Sequence, residues 1–159
     1  MKIGVLSDTH LRQANADLKR LCQVHFADVD VVLHAGDMVD LPVYEFLKSL
    51  KVEAVQGNMD EGALRGKLPV KRILELAGKK IGLIHGWGPA RGLEERLRPE
   101  FEDIDCLVYG HSHRPSNHRS EGVLFFNPGT ATGAGFFSRA SIGFLYLDDS
   151  GIRGEIVEI

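Results

Sequence analysis

Short apolar runs that stop abruptly on a polar turn, spaced by helical patterns, constrain this chain more than any other feature. Lys2–Leu6 reads as a strand and ends in Ser7-Asp8-Thr9-His10. Residues 14–26 follow with Leu18, Leu21, Cys22, His25 and Phe26 at i, i+3, i+4, i+7 and i+8, an amphipathic helix with Asn15 as its candidate cap. Val29–Leu33 is the next strand and ends in His34-Ala35-Gly36-Asp37. A helix over Leu41–Leu50 has Pro42 in its first turn. Val52–Val55 is a third strand, ending in Gln56-Gly57-Asn58-Met59-Asp60. This β-α-β-α-β order argues for an α/β layer architecture.

Beyond residue 66 the rhythm changes. Val70–Leu76 and Lys80–Ile84 flank Ala77-Gly78-Lys79 and read as a hairpin whose second strand ends in His85-Gly86-Trp87-Gly88. Residues 90–98 are predicted as a charged helix stopped near Pro99. Cys106–Tyr109 is a buried strand that Gly110 ends, leading into His111-Ser112-His113. Val123–Phe126 ends in Asn127-Pro128-Gly129-Thr130. Ser141–Leu147 and Ile152–Ile159 form a closing hairpin, and residues 131–140 read as a mobile surface loop.

Length and charge narrow the class. At 159 residues the chain is expected to form one domain, residues 1–159, with a core that needs no staples. A net charge of -3 leaves no basic footprint for nucleic acid or anionic membrane, so nucleic acid enters only as a candidate substrate. No apolar run reaches a membrane span. The first residues, one Lys and then a strand pattern, do not read as a secretory signal. Cys22 and Cys106, far apart in apolar surroundings, fit buried reduced thiols, and the expected location is cytoplasmic. The 18 glycines are about one residue in nine, against a usual ~7%, and Gly36, Gly57, Gly86, Gly110 and Gly129 each stand just past an apolar run.

Five of the strand-end loops carry Asp, His or Asn: Asp8 and His10; Asp37; Asn58; His85; His111 and His113. One residue apart in an extended segment, His111 and His113 leave the same side of the backbone. In α/β sheets ligands bind beyond the carboxyl ends of the strands. Taken singly each residue has a plainer reading: Asp37 as a turn former or cap, Asn58 as a turn residue, His85 as a core histidine, the His-x-His pair as a polar loop. Together they place seven N/O donors on one edge, too many for one tetrahedral zinc and suited to two ions sharing a carboxylate. The mixed imidazole, carboxylate and amide set suits Mn, Fe, Ni or Zn better than Ca or Mg. His34, one step before Ala-Gly-Asp, reads as a supporting residue. His25, on a helix face, and His118, in a polar loop, stay outside the set.

Asp8-x-His10, Gly36-Asp37, Gly57-Asn58-x-Asp60, His85-Gly86 and Gly110-His111-x-His113 stand in the order seen in the calcineurin-like metallophosphoesterases, and Asn127-Pro128-Gly129-Thr130 resembles the Asn-Pro-Gly-Ser step that follows there. The length is similar to that of the small single-domain phosphodiesterase branch, which also holds the retromer scaffolding subunit. The resemblance implies a four-layer α-β-β-α sandwich of two mixed sheets flanked by helices. It implies a dinuclear centre with Asp8, His10, Asp37 and His113 on one ion and Asp37, Asn58, His85 and His111 on the other. Asp37, Asn58 and His111 are expected to act directly in catalysis. The implied reaction is phosphodiester hydrolysis by a metal-bridging hydroxide, with two divalent ions, Mn2+ foremost and Ni2+, Fe2+ or Zn2+ as alternatives.

One position departs from the family. Much of it has His where this chain has Met59, and a thioether cannot protonate a leaving alkoxide. The loss of a general acid, worth typically 100- to 10,000-fold, predicts a preference for activated diesters. The expected partner is a small phosphodiester, and the sequence leaves self-association open. Arg91, Arg114 and Arg139 are candidates for a second phosphate, and Trp87 for a base or ring. The competing reading is a non-catalytic scaffold of the same fold, using an apolar surface with Leu64, Phe136 and Phe137. The complete ligand set argues for the enzyme.

Overall fold

The structure, a computed structural model of the chain, describes residues 1–133 and 139–159. Strands β1 (Lys2–Leu6), β2 (Val31–His34) and β3 (Val52–Ala54) run parallel. They are extended on the β1 side by the antiparallel hairpin of β9 (Ser141–Asp148) and β10 (Gly151–Glu158), in the order β10-β9-β1-β2-β3. The second sheet has the order β4-β5-β6-β8-β7. Its strands are β4 (Lys71–Leu76), β5 (Lys79–Ile84), β6 (Cys106–Val108), β7 (Ser116–Ser120) and β8 (Val123–Asn127). Here β5, β6 and β8 are parallel, and β4 and β7 are antiparallel edges. Helices α1 (Ala16–His25), α2 (Leu41–Leu47) and α3 (Gly62–Lys67) accompany the first sheet, and α4 (Leu93–Leu97) the second.

Strand alternation builds the layers. Ile3 and Val5 of β1, Val31 and Leu33 of β2, Ile81 and Leu83 of β5, Cys106 and Val108 of β6, and Leu124 and Phe126 of β8 share one buried cluster between the sheets. Leu6 and Val32 face the other way, onto Leu18, Cys22 and Phe26 of the α1 segment and Val43 and Leu47 of α2. Leu107, Val123 and Phe125 face Leu93 and Leu97 of α4. The order is therefore α-β-β-α. Gly4 is required here because a Cβ would come within 2.8 Å of the Phe26 ring. Cys22 and Cys106 are buried and unpaired.

Most elements form where the patterning puts them. Asn15 caps α1, its side chain accepting the Leu18 N–H at 2.9 Å, and Pro42 sits in the first turn of α2. The hairpin turn is tighter than expected. Leu76 pairs with Lys79, so only Ala77 and Gly78 turn the chain, both at positive φ as a type I′ turn demands. Two helices are shorter than their periodicity suggests. The second ends at Leu47 in a 3-10 turn that Lys51 closes at φ +54°, and the charged one begins only after Gly92 at φ +70°.

Two expectations are corrected. The segment around His118 is not a loop: Ser116–Ser120 pair with β8 from Ser116↔Asn127 to Ser120↔Val123, because β8 would otherwise expose a ladder edge. His118 therefore lies on a strand. Its Nε2 is 2.9 Å from Glu94 Oε2, and its ring stacks on Phe125 at 5.4 Å. Leu64 is no surface residue. It is fully buried, and that anchoring explains a helix with two glycines in six residues that propensity alone disfavours. Phe136 and Phe137 lie outside the described residues. No described helix is long and apolar enough to cross a membrane.

Candidate metal centre

All the parallel strands point their carboxyl ends at one edge, where the two sheets meet. β1 delivers Asp8 and His10, β2 delivers Asp37, β3 delivers Asn58, β5 delivers His85, and β6 delivers His111 and His113. The loops are laced together. The Asp8 N–H donates to Gly36 O at 3.0 Å, His10 N–H to Asp37 O at 3.0 Å and Gly110 N–H to His85 O at 3.1 Å. Asp8, His10, Asp37, His111 and His113 all adopt φ between +46° and +67°, a region non-glycine residues occupy at a cost and in which Asp and His are enriched. Two glycines permit the approach. A Cβ on Gly57 would lie 2.1 Å from Asp37 Oδ1, and one on Gly110 1.9 Å from Ser7 Oγ.

The donor atoms fall into two connected groups. Around Asp8 Oδ1 stand His113 Nε2 at 3.1 Å and His10 Nε2 at 3.6 Å, with the two imidazole nitrogens 3.1 Å apart. Around His85 Nε2 stand Asn58 Oδ1 at 3.1 Å, Asp37 Oδ2 at 3.3 Å and Asp8 Oδ1 at 4.0 Å, and His111 Nδ1 is 2.9 Å from the same Asn58 oxygen. Asp37 Oδ2 is also 3.8 Å from His10 Nε2, so it lies between the groups. All seven residues of the sequence constellation are thus neighbours. His25 stays outside, on the far part of α1.

These residues suit cations. Asp8 is fully buried, and its Oδ1 accepts no hydrogen bond although three imidazole nitrogens surround it. Nitrogen lone pairs and carboxylate oxygens gathered around an orphaned buried anion are the donor set of a borderline transition metal. The outer partners select the tautomers. His85 Nδ1 is 2.7 Å from Ala35 O, and His111 Nε2 is 2.8 Å from Gly88 O. A carbonyl only accepts, so each of those nitrogens carries the proton. The other nitrogen, His85 Nε2 or His111 Nδ1, faces the Asn58 oxygen and would offer its lone pair to a cation bound there.

Electrostatics agree with this arrangement. Burial alone would raise the Asp8 carboxyl, but the His10 and His113 imidazoles, His85 and the Ser7 hydroxyl outweigh it and hold it below the usual carboxylate range. Asp37 is likewise lowered: His85 and the Met59 N–H, 2.7 Å from Oδ1, overcome burial and the nearby Asp8 charge. His85 rises despite burial because both carboxylates face it.

Sequence reasoning passed over several supports. Ser7 Oγ donates to Asp8 Oδ2 at 2.6 Å, and the His111 N–H reaches the same oxygen at 3.1 Å. Asp60, buried, accepts the Val39 and Gly57 N–H groups, each at 2.7 Å, and so clamps the Asn58 turn. Burial with the Asp37 charge outweighs those two donors and raises its carboxyl. Asn127 Nδ2 donates to Gly110 O at 3.0 Å while its Oδ1 accepts the Gly129 N–H. His34 holds the Gly36 N–H at 3.1 Å through Nδ1, with Nε2 3.3 Å from Thr9 Oγ1, as expected of a supporting residue. Ser7 beside Asp8, Asp60 two residues past Asn58 and Asn127 at another strand end were the available signal, though nothing in the sequence says where their side chains bond. Of the candidate arginines, Arg139 pairs with Glu158 at 3.1 Å, and Arg91 and Arg114 line a 450 Å³ cavity beside the histidine loop.

Known proteins resemble this chain in sequence and in fold. A sequence model described as the calcineurin-like phosphoesterase superfamily domain matches residues 1–150. A protein of Methanocaldococcus jannaschii named a probable metallophosphoesterase is 40% identical over 136 residues, covering 83% of this chain and 69% of that protein. Among solved structures, Vps29 of Entamoeba histolytica in complex with Zn2+ superposes at a TM-score of 0.75 with 27% identity, covering 99% of each chain. A structure described as a novel archaeal phosphodiesterase reaches 0.78, covering 99% of this chain and 100% of that one; at 24% identity it speaks for the shared fold.

Proposed function

The chain belongs to the calcineurin-like phosphoesterase superfamily, and on that premise we propose that it is a dinuclear metal-dependent phosphodiesterase. Asp8, His10 and His113 would hold one ion and Asn58, His85 and His111 the other, with Asp37 serving both. The observation that carries this reading is the position of Asp37 Oδ2, 3.3 Å from His85 Nε2 and 3.8 Å from His10 Nε2. Two bound cations would supply Lewis acidity for the phosphoryl oxygens and a water acidified enough to attack phosphorus.

The chain's own residues do the rest. Ser7 and the His111 N–H fix the Asp8 carboxylate, and Ala35 O and Gly88 O aim His85 and His111. Met59 is half exposed beside Asn58, and its thioether donates no proton to a departing alkoxide. The substrates favoured are therefore diesters with good leaving groups. Imidazole, carboxylate and amide donors suit Mn2+, Ni2+, Fe2+ or Zn2+, and the family resemblance puts Mn2+ foremost. A chelated preparation should be inactive on bis(4-nitrophenyl) phosphate and should recover with Mn2+ or Ni2+. Hydrolysis unaffected by exhaustive chelation would overturn the proposal.

The likeness to Vps29 favours one second reading, a non-catalytic metal-binding module that holds a protein partner. The complete donor set speaks for catalysis. Metal-loaded, folded protein without turnover on any phosphodiester would decide for the module.

A further inference from the structure

Among the described residues few large apolar side chains are exposed, yet three of them, Met59, Val70 and Trp87, stand at residues adjoining the centre. Exposed apolar surface gathered at the mouth of a polar site marks a ligand contact more often than scattered surface residues do. Val70 and Trp87 line a cavity of about 200 Å³ whose wall also includes Asn58, His85 and Arg65. It opens beside two donors of the centre. At this size it is smaller than the ~300–1,000 Å³ of a site for a whole drug-sized ligand, so it suits one ring system of a larger substrate.

The walls are built. The Gln56 N–H donates to Pro69 O at 2.9 Å, and its Nε2 to Leu68 O at 3.2 Å, which fastens the Val70 side to the Asn58 turn. On the other side the Arg96 guanidinium donates to Trp87 O and to Arg91 O, each at 3.0 Å, and also to Pro89 O. The Trp87 indole stacks on no other ring among the described residues, and no carboxylate there pairs with the Arg65 guanidinium. A flat π-face, a branched aliphatic wall and an unpaired planar cation together match a planar aromatic group.

We propose that this cavity seats an aromatic ring carried on the phosphoester, a nucleobase or an aryl substituent, with Trp87 and Val70 as its walls and Arg65 as its cation. The proposal rests on the phosphoester reading of the adjacent centre. Trp87 is the sole tryptophan, so its fluorescence reports the cavity without any turnover.

The test titrates Zn2+-loaded full-length protein with adenosine 5′-monophosphate, phenyl phosphate, methyl phosphate and inorganic phosphate, following tryptophan emission and, by calorimetry, affinity. One or both ring compounds should quench saturably and bind at least about fivefold more tightly than methyl phosphate. Quenching by the nucleotide alone assigns a base, and by phenyl phosphate alone a small aryl group. Val70→Asp should weaken ring binding about fivefold or more while methyl phosphate binding stays within twofold. Trp87→Ala should raise KM for a nitrophenyl diester far more than it lowers kcat, and Trp87→Phe should restore most of it. Phosphate binding without any preference for a ring overturns the ring seat and leaves the phosphoesterase reading standing. Failure of all four compounds to bind overturns the ring seat, and overturns the phosphoesterase reading as well if metal-loaded protein also fails to hydrolyse bis(4-nitrophenyl) phosphate.

Discussion

The two sheets bring different chemistry to one edge. β1, β2 and β3 deliver Asp8, Asp37 and Asn58 with one imidazole, His10, whereas β5 and β6 deliver only imidazoles, His85, His111 and His113. The two carboxylates are almost wholly buried, while His113 keeps a quarter of its side-chain surface exposed. Two buried anions 4 Å or less from the same imidazole would be costly within the first sheet alone. They are tolerable because the second sheet closes over them with nitrogen donors. Neither sheet gathers the seven candidate donors by itself, and the junction between them does.

Removing charge from the acidic half should have the largest effect. Asp37→Asn should lower kcat/KM on bis(4-nitrophenyl) phosphate by more than about 100-fold with Mn2+ present. His118→Ala, on the imidazole-bearing sheet but bonded to Glu94 instead, should stay within about twofold. An Asp37→Asn protein within tenfold of the parent would break the division of labour between the halves.

The imidazole half can be sharpened by counting metal. His113 faces Asp8, and His111 faces Asn58. His113→Ala and His111→Ala should each lower the bound metal by about one ion per chain, measured by elemental analysis after dialysis. The ion that remains should differ between the two variants in affinity. Identical residual affinities would mean that the histidines do not divide between two positions.

An effect on stability rather than turnover lies behind the acidic half. His34 is fully buried, and burial, against the pull of the Asp8 charge, pushes its pKa from 6.5 down to about 3. Between those values the unfolded chain binds a proton that the folded chain does not. Stability from this group is therefore complete above about pH 6.5 and drains away as pH falls toward 3. At pH 4.5 the loss should be about 2–3 kcal/mol. Urea unfolding of metal-free protein at pH 7.5 and 4.5 should show that extra acid loss in the parent relative to His34→Gln. Equal losses in the two proteins would refute it.

The strands that feed the centre were legible because each couples a short apolar run to a polar stop, and both halves of that signal are local. Asn15 as a cap was legible for the same reason. β7 was not. Ser116–Ser120 has no apolar period, and only the exposed edge of β8 makes it a strand. α3 was hidden because its two glycines argue against a helix, and the burial of Leu64 that overrides them is a tertiary fact. Ser7 and Asp60 stood close to candidate ligands in the sequence, and Asn127 stood at the end of another strand. The Ser7–Asp8 and Asp60–Gly57 bonds are local, but the bond of Asp60 to the Val39 N–H, 21 residues away, and of Asn127 to Gly110 O, 17 residues away, depend on other loops.

The histidine pair shows the boundary most clearly. That His111 and His113 leave a strand end as potential donors follows from Gly110 and the apolar run before it, which is chain-local chemistry. That one faces the carboxylate of β1 and the other the amide after β3 was decided by the packing of two sheets. The amino-acid order by itself determined which side chains would stand at strand ends and which faces would be buried, because strand periodicity is a property of consecutive residues. Only the tertiary structure decided which strand ends meet, because sheet order and sheet-on-sheet packing are settled by burying the common core of Ile3, Leu33, Leu83, Val108 and Phe126.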